Sequence, residues 1–201
     1  MTNLLTTRRE SIKWTPEIRV IKYNPDTVRE LTDYLGHEPT GPELRELERV
    51  GAIVPDDIAE AVGNSLVTAG LARLTNLITG GGGGAFNNAK GIIGVGNSNT
   101  ATTVGMVDLQ GASKYYEDLE AGSPSTNNGA ITASALFGSA DGNFAWEEWC
   151  FAIANNADVT PAATLAGAGG AGSVILNRKV ASLGTKSSGA SWTLQATVTL
   201  S

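Results

Sequence analysis

The chain has 201 residues, of which 41% are hydrophobic, only 17% are charged and 25 are glycine. A chain of this length can bury a sizeable core, as one domain or as two small ones. Its formal net charge of −6 argues against a protein that coats nucleic acid, because phosphate binding needs a basic surface. A single cysteine excludes an internal disulfide bond. This composition is more typical of a β-rich structural protein than of a helical enzyme.

No segment of the sequence predicts a membrane or secretion role. Met1–Trp14 lacks the continuous apolar stretch of a signal peptide. No apolar run reaches the ~20 residues that a membrane-spanning helix needs. We therefore expect a soluble protein made in a cytoplasm, with neither a membrane nor a nucleic acid as partner.

Five consecutive glycines, Gly80–Gly84, separate two parts of different composition. Residues 1–80 hold 9 of the 14 basic and 12 of the 20 acidic residues. Ordering a glycine run costs much backbone entropy, so a hinge or linker is indicated, and no Gly-Lys-Ser/Thr follows to make it a phosphate-binding loop. We predict an N-terminal arm and helical docking segment over 1–79, a glycine linker over 80–85, and a β-sandwich domain over 86–201.

Short helices are predicted in the first part from their capping residues. Asn24 is a helix N-cap followed by proline, and Gly36 ends that helix. Thr40 and Glu43 form a capping box for a second helix. A third helix is predicted to start after Val54, from the helical spacing of the apolar residues that follow it.

Apolar residues of this first part are candidates for docking on a partner or on the β domain. Ile18–Tyr23 is either a short strand or an extended segment docked on a neighbour. The second helix contributes an apolar stripe of its own. The docking candidates are Ile18, Val20, Tyr23, Leu44 and Leu47.

After the glycine run the apolar period changes to two. Gly91–Gly96 and Val174–Val180 are predicted strands, and Trp192–Ser201 alternates most regularly. Residues 108–119 fit a helical turn or a strand, and this choice stays open. Several such strands with glycine-rich turns predict a mainly β fold, an antiparallel β-sandwich preceded by an extended arm and short α-helices.

Ala130–Ala154 holds two of the four tryptophans and the single cysteine. It is predicted to be a hairpin of two strands with Asp141 and Gly142 in the turn. Trp146 and Trp149 lie three residues apart, so we expect one in the core and one exposed. The exposed ring would serve a subunit interface or bind a glycan, and both tryptophans are candidates.

The same stretch offers two candidate catalytic features. Glu147 and Glu148 are neighbours on a strand and face opposite ways, so they cannot flank one glycosidic bond. We expect one of them to be solvated and the other to pair with Arg178 or Lys179. Cys150 has no histidine nearby in sequence to act as its base, so we expect a buried, inert thiol.

Two acidic patterns suggest metal sites only superficially. His37 with Glu38 and Glu43 offers one imidazole without a second histidine or a cysteine, which is a poor transition-metal site. The segment Asp141–Asn143 with Glu147 does not fit the spacing of a twelve-residue calcium loop. We therefore predict no catalytic, metal or cofactor site, and no enzymatic activity.

The C-terminal part, roughly residues 86–201, resembles a β-sandwich module of tailed-bacteriophage virion proteins. The resemblance rests on the order of several short pieces rather than on any one of them. The pieces are Gly91–Gly96 with Asp108-Leu109-Gln110, Phe137-Gly138 leading into Asn143–Trp149, Leu176–Val180, Leu183–Lys186, and Trp192–Ser201.

This resemblance implies a virion structural protein, either a capsid decoration or head appendage protein or a tail component. Its partners would be the major capsid protein or tail proteins. It would assemble as a homo-oligomer, for which a trimer is one candidate state. It would be assembled into virions in the cytoplasm of a host bacterium. Residues 1–79 would provide the docking part. A tail or fibre component that binds host glycan, and a virion-associated glycan hydrolase, are the alternatives.

Overall fold

A computed structural model describes residues 14–63 and 65–200, so the first thirteen residues and their predicted arm lie outside the described part. The predicted fold class, mainly β with antiparallel sheets and short helices, is confirmed. The strands are β1 (Trp14–Tyr23), β2 (Asp57–Val62), β3 (Ser65–Leu66), β4 (Gly91–Gly96), β5 (Lys114–Asp118), β6 (Ser125–Asn127), β7 (Ala130–Phe137), β8 (Ala145–Ile153), β9 (Val174–Ile175), β10 (Asn177–Thr185) and β11 (Ser191–Leu200). The helices are α1 (Pro25–Leu35), α2 (Gly41–Arg49), α3 (Thr68–Thr79) and α4 (Leu165–Gly169).

The strands form two antiparallel sheets. The first sheet has the order β2-β1-β11-β7-β6, and the second has the order β3-β10-β8-β4-β5 with β9 paired to β8. The main core lies between the sheets, because each sheet turns one set of alternate residues inward. Its members from β11 include Leu194, Ala196 and Val198, and those from β4 include Ile93 and Val95.

The outer faces of both sheets are partly covered. Helices α1 and α2 pack on Ile21 and Tyr23 of the first sheet through apolar residues that include Leu31 and Leu44. Helix α4 and nearby loops cover Ile92 and other outward residues of the second sheet. None of the helices in the described part of the chain is long and apolar enough to cross a membrane.

The predicted helix caps are confirmed. The side chain of Asn24 accepts hydrogen bonds from the backbone N–H groups of Asp26 and Thr27, both at 2.9 Å. Gly36 adopts the left-handed conformation after α1. The Glu43 carboxylate accepts from the backbone N–H of Thr40 at 2.8 Å, as a capping box requires. These signals are local, which is why the sequence reveals them.

The predicted third helix is wrong over its first half. Residues 57–62 form β2, an edge strand that pairs with β1 and turns Ala59 and Ala61 toward the core. Helix α3 begins only at Thr68. It contains Gly70, and a Cβ atom there would lie 2.1 Å from the carbonyl oxygen of Leu176, so the glycine allows α3 to approach the sheet closely.

The predicted hairpin at Ala130–Ala154 is wrong in its pairing, although both strands exist. Strand β7 pairs with β11 and β6 in the first sheet, while β8 pairs with β10 and β4 in the second. The turn around Gly142, which has a φ of 59°, therefore carries the chain from one sheet to the other.

The predicted boundary at 80–85 does not separate two cores. Strand β1 pairs with β11 along ten residues, and its Ile18 and Val20 join the core between the sheets. Ile18–Tyr23 is thus a strand of the sandwich itself. The glycine run ends α3 at Gly80, and Arg73 of that helix donates a hydrogen bond to the carbonyl of Gly84 at 3.2 Å. Gly84 also lies close to the end of β8, because a Cβ atom there would be 3.0 Å from the carbonyl oxygen of Ala154.

Candidate functional site

A buried ion pair joins β8 to β10. The side chains of Glu148 and Arg178 are fully buried, and Arg178 Nε donates to the Glu148 carboxylate. The backbone N–H groups of Gln110 and Gly111 donate to the same carboxylate at 2.9 and 2.6 Å. Arg178 Nη1 donates to the carbonyl of Thr100 at 2.7 Å. Both ions therefore fasten the loop between β4 and β5 onto the second sheet.

The predicted separation of the two glutamates is confirmed. Glu148 pairs with Arg178, whereas the partly exposed Glu147 accepts a hydrogen bond from Ser182 at 3.0 Å. A carboxylate neutralised by a buried guanidinium and saturated by backbone donors has no capacity left for proton transfer to a substrate.

A second cluster lies under the same loop. Asp108 accepts a hydrogen bond from Lys114 Nζ at 2.7 Å and another from the hydroxyl of Tyr116. Burial is the main reason that the pKa of Tyr116 is raised. Burial likewise raises the pKa of Cys150, so its thiol stays protonated and unreactive.

The turn between the two sheets is held from inside by a lysine. Lys186 is 1% exposed, and its Nζ donates to the carbonyl of Gly138 at 2.6 Å and to Asn143 Oδ1 at 2.9 Å. Burial lowers its pKa to about 8, against the opposing charges of nearby carboxylates. From outside, Glu38 accepts from the backbone N–H of Ser139 at 2.6 Å. The connector between α1 and α2 is thereby tied to this turn.

An open groove of about 580 Å³ lies where this connector meets the turn and the end of β5. We name it the acidic groove. Its lining includes the apolar residues Pro39, Pro42, Leu119 and Leu136 and the four carboxylates of Glu38, Asp118, Glu120 and Asp141. No lysine or arginine of the described chain lines it.

The carboxylates around the acidic groove differ in their partners. Glu120 pairs with Arg45, 2.5 Å away, and Asp141 accepts from the Tyr115 hydroxyl at 2.6 Å. Glu117, beside Asp118, is 5% exposed. Burial, a hydrogen bond with Asp118 and the charge of Asp141 raise the pKa of Glu117 to about 9. Glu117 is therefore protonated at neutral pH.

Both candidate tryptophans are buried, so the expectation that one faces outward is wrong. Trp146 and Trp149 are 0% and 1% exposed and belong to the same core cluster. Strict alternation does not hold between them, and in the same region the pairing of β8 with β10 shifts its register between Val180 and Gly184. Trp146 packs edge-on against Trp192 with ring centroids 4.9 Å apart. Neither tryptophan offers a surface to a sugar or to a partner.

The predicted docking residues are also internal. Ile18 and Val20 face the core between the sheets, and Tyr23 and Leu44 are buried where the first sheet meets α1 and α2. Leu47 is partly buried against that second cluster. The four buried residues therefore follow the alternative of packing on the β domain, and contacts within the chain leave them no surface for a partner.

The histidine cluster is only loosely assembled. His37 Nε2 lies 3.5 Å from Glu43 Oε1, and Glu38 points instead to the turn at Ser139. In the part of the chain that the structure describes, no three histidine, cysteine or acidic side chains are grouped as a metal ion requires.

Sequence reasoning missed the acidic groove. Its carboxylates come from the α1–α2 connector, from the end of β5 and from the turn after β7, which are far apart in the chain. The one available signal in the sequence was a cluster of three acidic residues between positions 117 and 120, in a part of the chain that otherwise has few charges. These residues are Glu117, Asp118 and Glu120. Comparisons with protein families, with curated proteins and with solved structures gave no match to this chain.

Proposed function

We propose that the protein is a non-enzymatic structural component of a bacteriophage virion, most concretely a capsid decoration or head appendage protein. The observation that carries the proposal is that the sequence pieces on which the resemblance rests supply the buried polar contacts of the sandwich. Glu148 and Arg178 come from two of those pieces and meet in the buried ion pair, and Lys186 from a third holds the turn between the sheets. Residues of these pieces thus meet in the structural frame of the sandwich.

The chemically reactive side chains also support a structural role. Glu148 is neutralised, and Cys150 is buried with a raised pKa. Lys186, whose lowered pKa would suit a base, is 1% exposed and bonded to a backbone carbonyl. Each of these three groups is therefore enclosed within the fold. The alternative of glycan binding relied on Trp149, but this side chain is buried in the core.

Helix α3 supplies a surface suited to attachment in place of the buried docking candidates. Leu71 and Ile78 lie seven residues apart on one face of α3 and are 53% and 85% exposed. Val104, 66% exposed, lies next to the first turn of the helix, since its carbonyl accepts from the N–H of Thr68 at 2.7 Å. An apolar face of this kind is typical of protein contact sites. We infer that it docks on the shell or tail protein.

The proposal is tested by supplying variants of the chain to cells that assemble particles of the encoding phage without their own copy. Purified particles are then analysed by mass spectrometry. We expect the wild type in the particles and a Leu71→Glu/Ile78→Glu variant at least tenfold depleted, because two charges would have to be desolvated in the contact. Val54→Glu, at a residue 80% exposed elsewhere, is the matched control and should be incorporated normally.

Two results would contradict the proposal at different levels. Particles that contain no wild-type chain would refute the virion assignment. Normal incorporation of the α3 double variant would refute attachment through α3, and the chain would then have to attach to the particle through another surface.

A further inference from the structure

In the described part of the chain, the four carboxylates of the acidic groove outnumber the basic groups near them, which are Arg45, paired with Glu120, and the buried Lys186. Glu38, Asp118 and Asp141 form no ion pair among the described residues, although all three line the groove. Glu120, with a side chain 7% exposed, uses one oxygen for Arg45 and Ser134. Its Oε1 is buried without a hydrogen-bond partner in the described part of the molecule. This oxygen lacks a donor from the described residues and lies against Gly41, which is itself part of the groove lining.

The chain contains a segment of matching chemistry before β1. Residues 1–13 carry Arg8, Arg9 and Lys13 against the single acid Glu10. They also carry Leu4 and Leu5, which suit the proline and leucine side chains of the groove. An arginine fork matches a carboxylate geometrically and binds it through two hydrogen bonds.

The backbone at Arg8 and Arg9 of the same chain is too short to reach the end of the groove at Glu38. Trp14 lies opposite Leu200 at one end of β1, and Tyr23 lies opposite Ser191 at the other. Ser191 also bonds Glu38, so this end of the groove is roughly 30 Å from Trp14, at the ordinary rise of a strand. Arg8 is six residues before Trp14, and the backbone between them spans at most about 20 Å.

We propose that the acidic groove binds residues 1–13 of a second copy of this chain, with Arg8 and Arg9 on its carboxylates. The exchange of such arms makes a contact that closes into a symmetric oligomer. The inference does not rest on the virion assignment, because it concerns purified chains in solution.

The test is sedimentation of the full chain over a range of concentrations at low and high salt. We expect self-association of the wild type, weakened by salt because exposed charges are screened. Arg8→Glu/Arg9→Glu on the arm and Asp118→Lys in the groove should each weaken association by about tenfold or more. Combining both changes should restore part of the lost affinity, since the charges are then exchanged.

Asp158→Lys is the matched control, since it makes the same charge change at an exposed residue on another loop and should leave association unchanged. Near-ultraviolet circular dichroism checks that every variant is folded. The proposal is overturned if the wild type stays monomeric at about 1 mM. It is also overturned if the arm variant associates like the wild type, which would mean that another segment, or the same chain, occupies the groove.

Discussion

Replacing Glu148 by glutamine should destabilise the protein strongly. The substitution keeps the size of the side chain but removes its charge, and so leaves the fully buried guanidinium of Arg178 without a counter-ion. Glutamine also offers one oxygen where the carboxylate offers two to Arg178, Gln110 and Gly111. Breaking one side of a buried ion pair costs about 3–5 kcal/mol. We expect a loss in the free energy of unfolding within that range.

The assay is equilibrium unfolding in urea at fixed protein concentration, followed by tryptophan fluorescence. With a slope of about 2 kcal/mol/M, the midpoint should fall by about 2 M. Glu147→Gln is the matched control, and because Glu147 makes only a partly exposed contact it should change the free energy of unfolding by less than about 1 kcal/mol. In the double variant with Arg178→Met the loss should be smaller than the sum of the single losses.

A loss below about 1 kcal/mol for Glu148→Gln would refute this reasoning. It would mean that water reaches the pair, or that the loop between β4 and β5 is not fastened by it.

Three further predictions concern packing, pH and reactivity. Gly70→Ala should lower the free energy of unfolding by about 1–3 kcal/mol, because the new Cβ would collide with the Leu176 carbonyl. Gly105→Ala, with open space around it, should be near neutral, and equal urea midpoints for the two variants would contradict the close approach of α3. Glu117→Gln should stabilise the protein increasingly as pH rises from 4.5 toward 9. The pKa of Glu117 is about 9 in the folded state and near 4.5 when unfolded, so in this range the wild type loses a proton on unfolding and a rising pH favours its unfolded state, whereas glutamine does not titrate. Urea midpoints at the two ends of that range would reveal it, and an equal gain at both would contradict it. Cys150 should resist iodoacetamide in the folded protein and react fully in urea, and rapid labelling of the folded chain, detected by mass spectrometry, would show that the thiol is accessible.

The helix caps, the last strand and the opposite orientation of two adjacent glutamates were predicted correctly, because each depends on residues that are neighbours in the sequence. The caps at Asn24 and Thr40 are interactions within one turn of helix. The alternation of β11 reports a strand with one face in the core. Because neighbours on a strand face opposite ways, the sequence also predicted that one of Glu147 and Glu148 pairs with Arg178 or Lys179, and the structure shows that the pair is Glu148 with Arg178.

The errors come from choices that the local pattern leaves open. A turn such as that at Gly142 closes a hairpin or carries the chain between two sheets, and only the partners of β7 and β8 decide between them. The segment of β2 fits helical spacing as well as alternation, and the edge of β1 selects the strand. The acidic groove needs three distant segments brought together, which no window of the sequence shows.

The most direct test of the proposed virion role is a density map of particles of the phage that is proposed to encode the chain. The account predicts repeated, symmetry-related copies of the sandwich on the particle surface, with α3 turned toward the underlying shell or tail. A complete particle whose proteins are all assigned without this chain would contradict it.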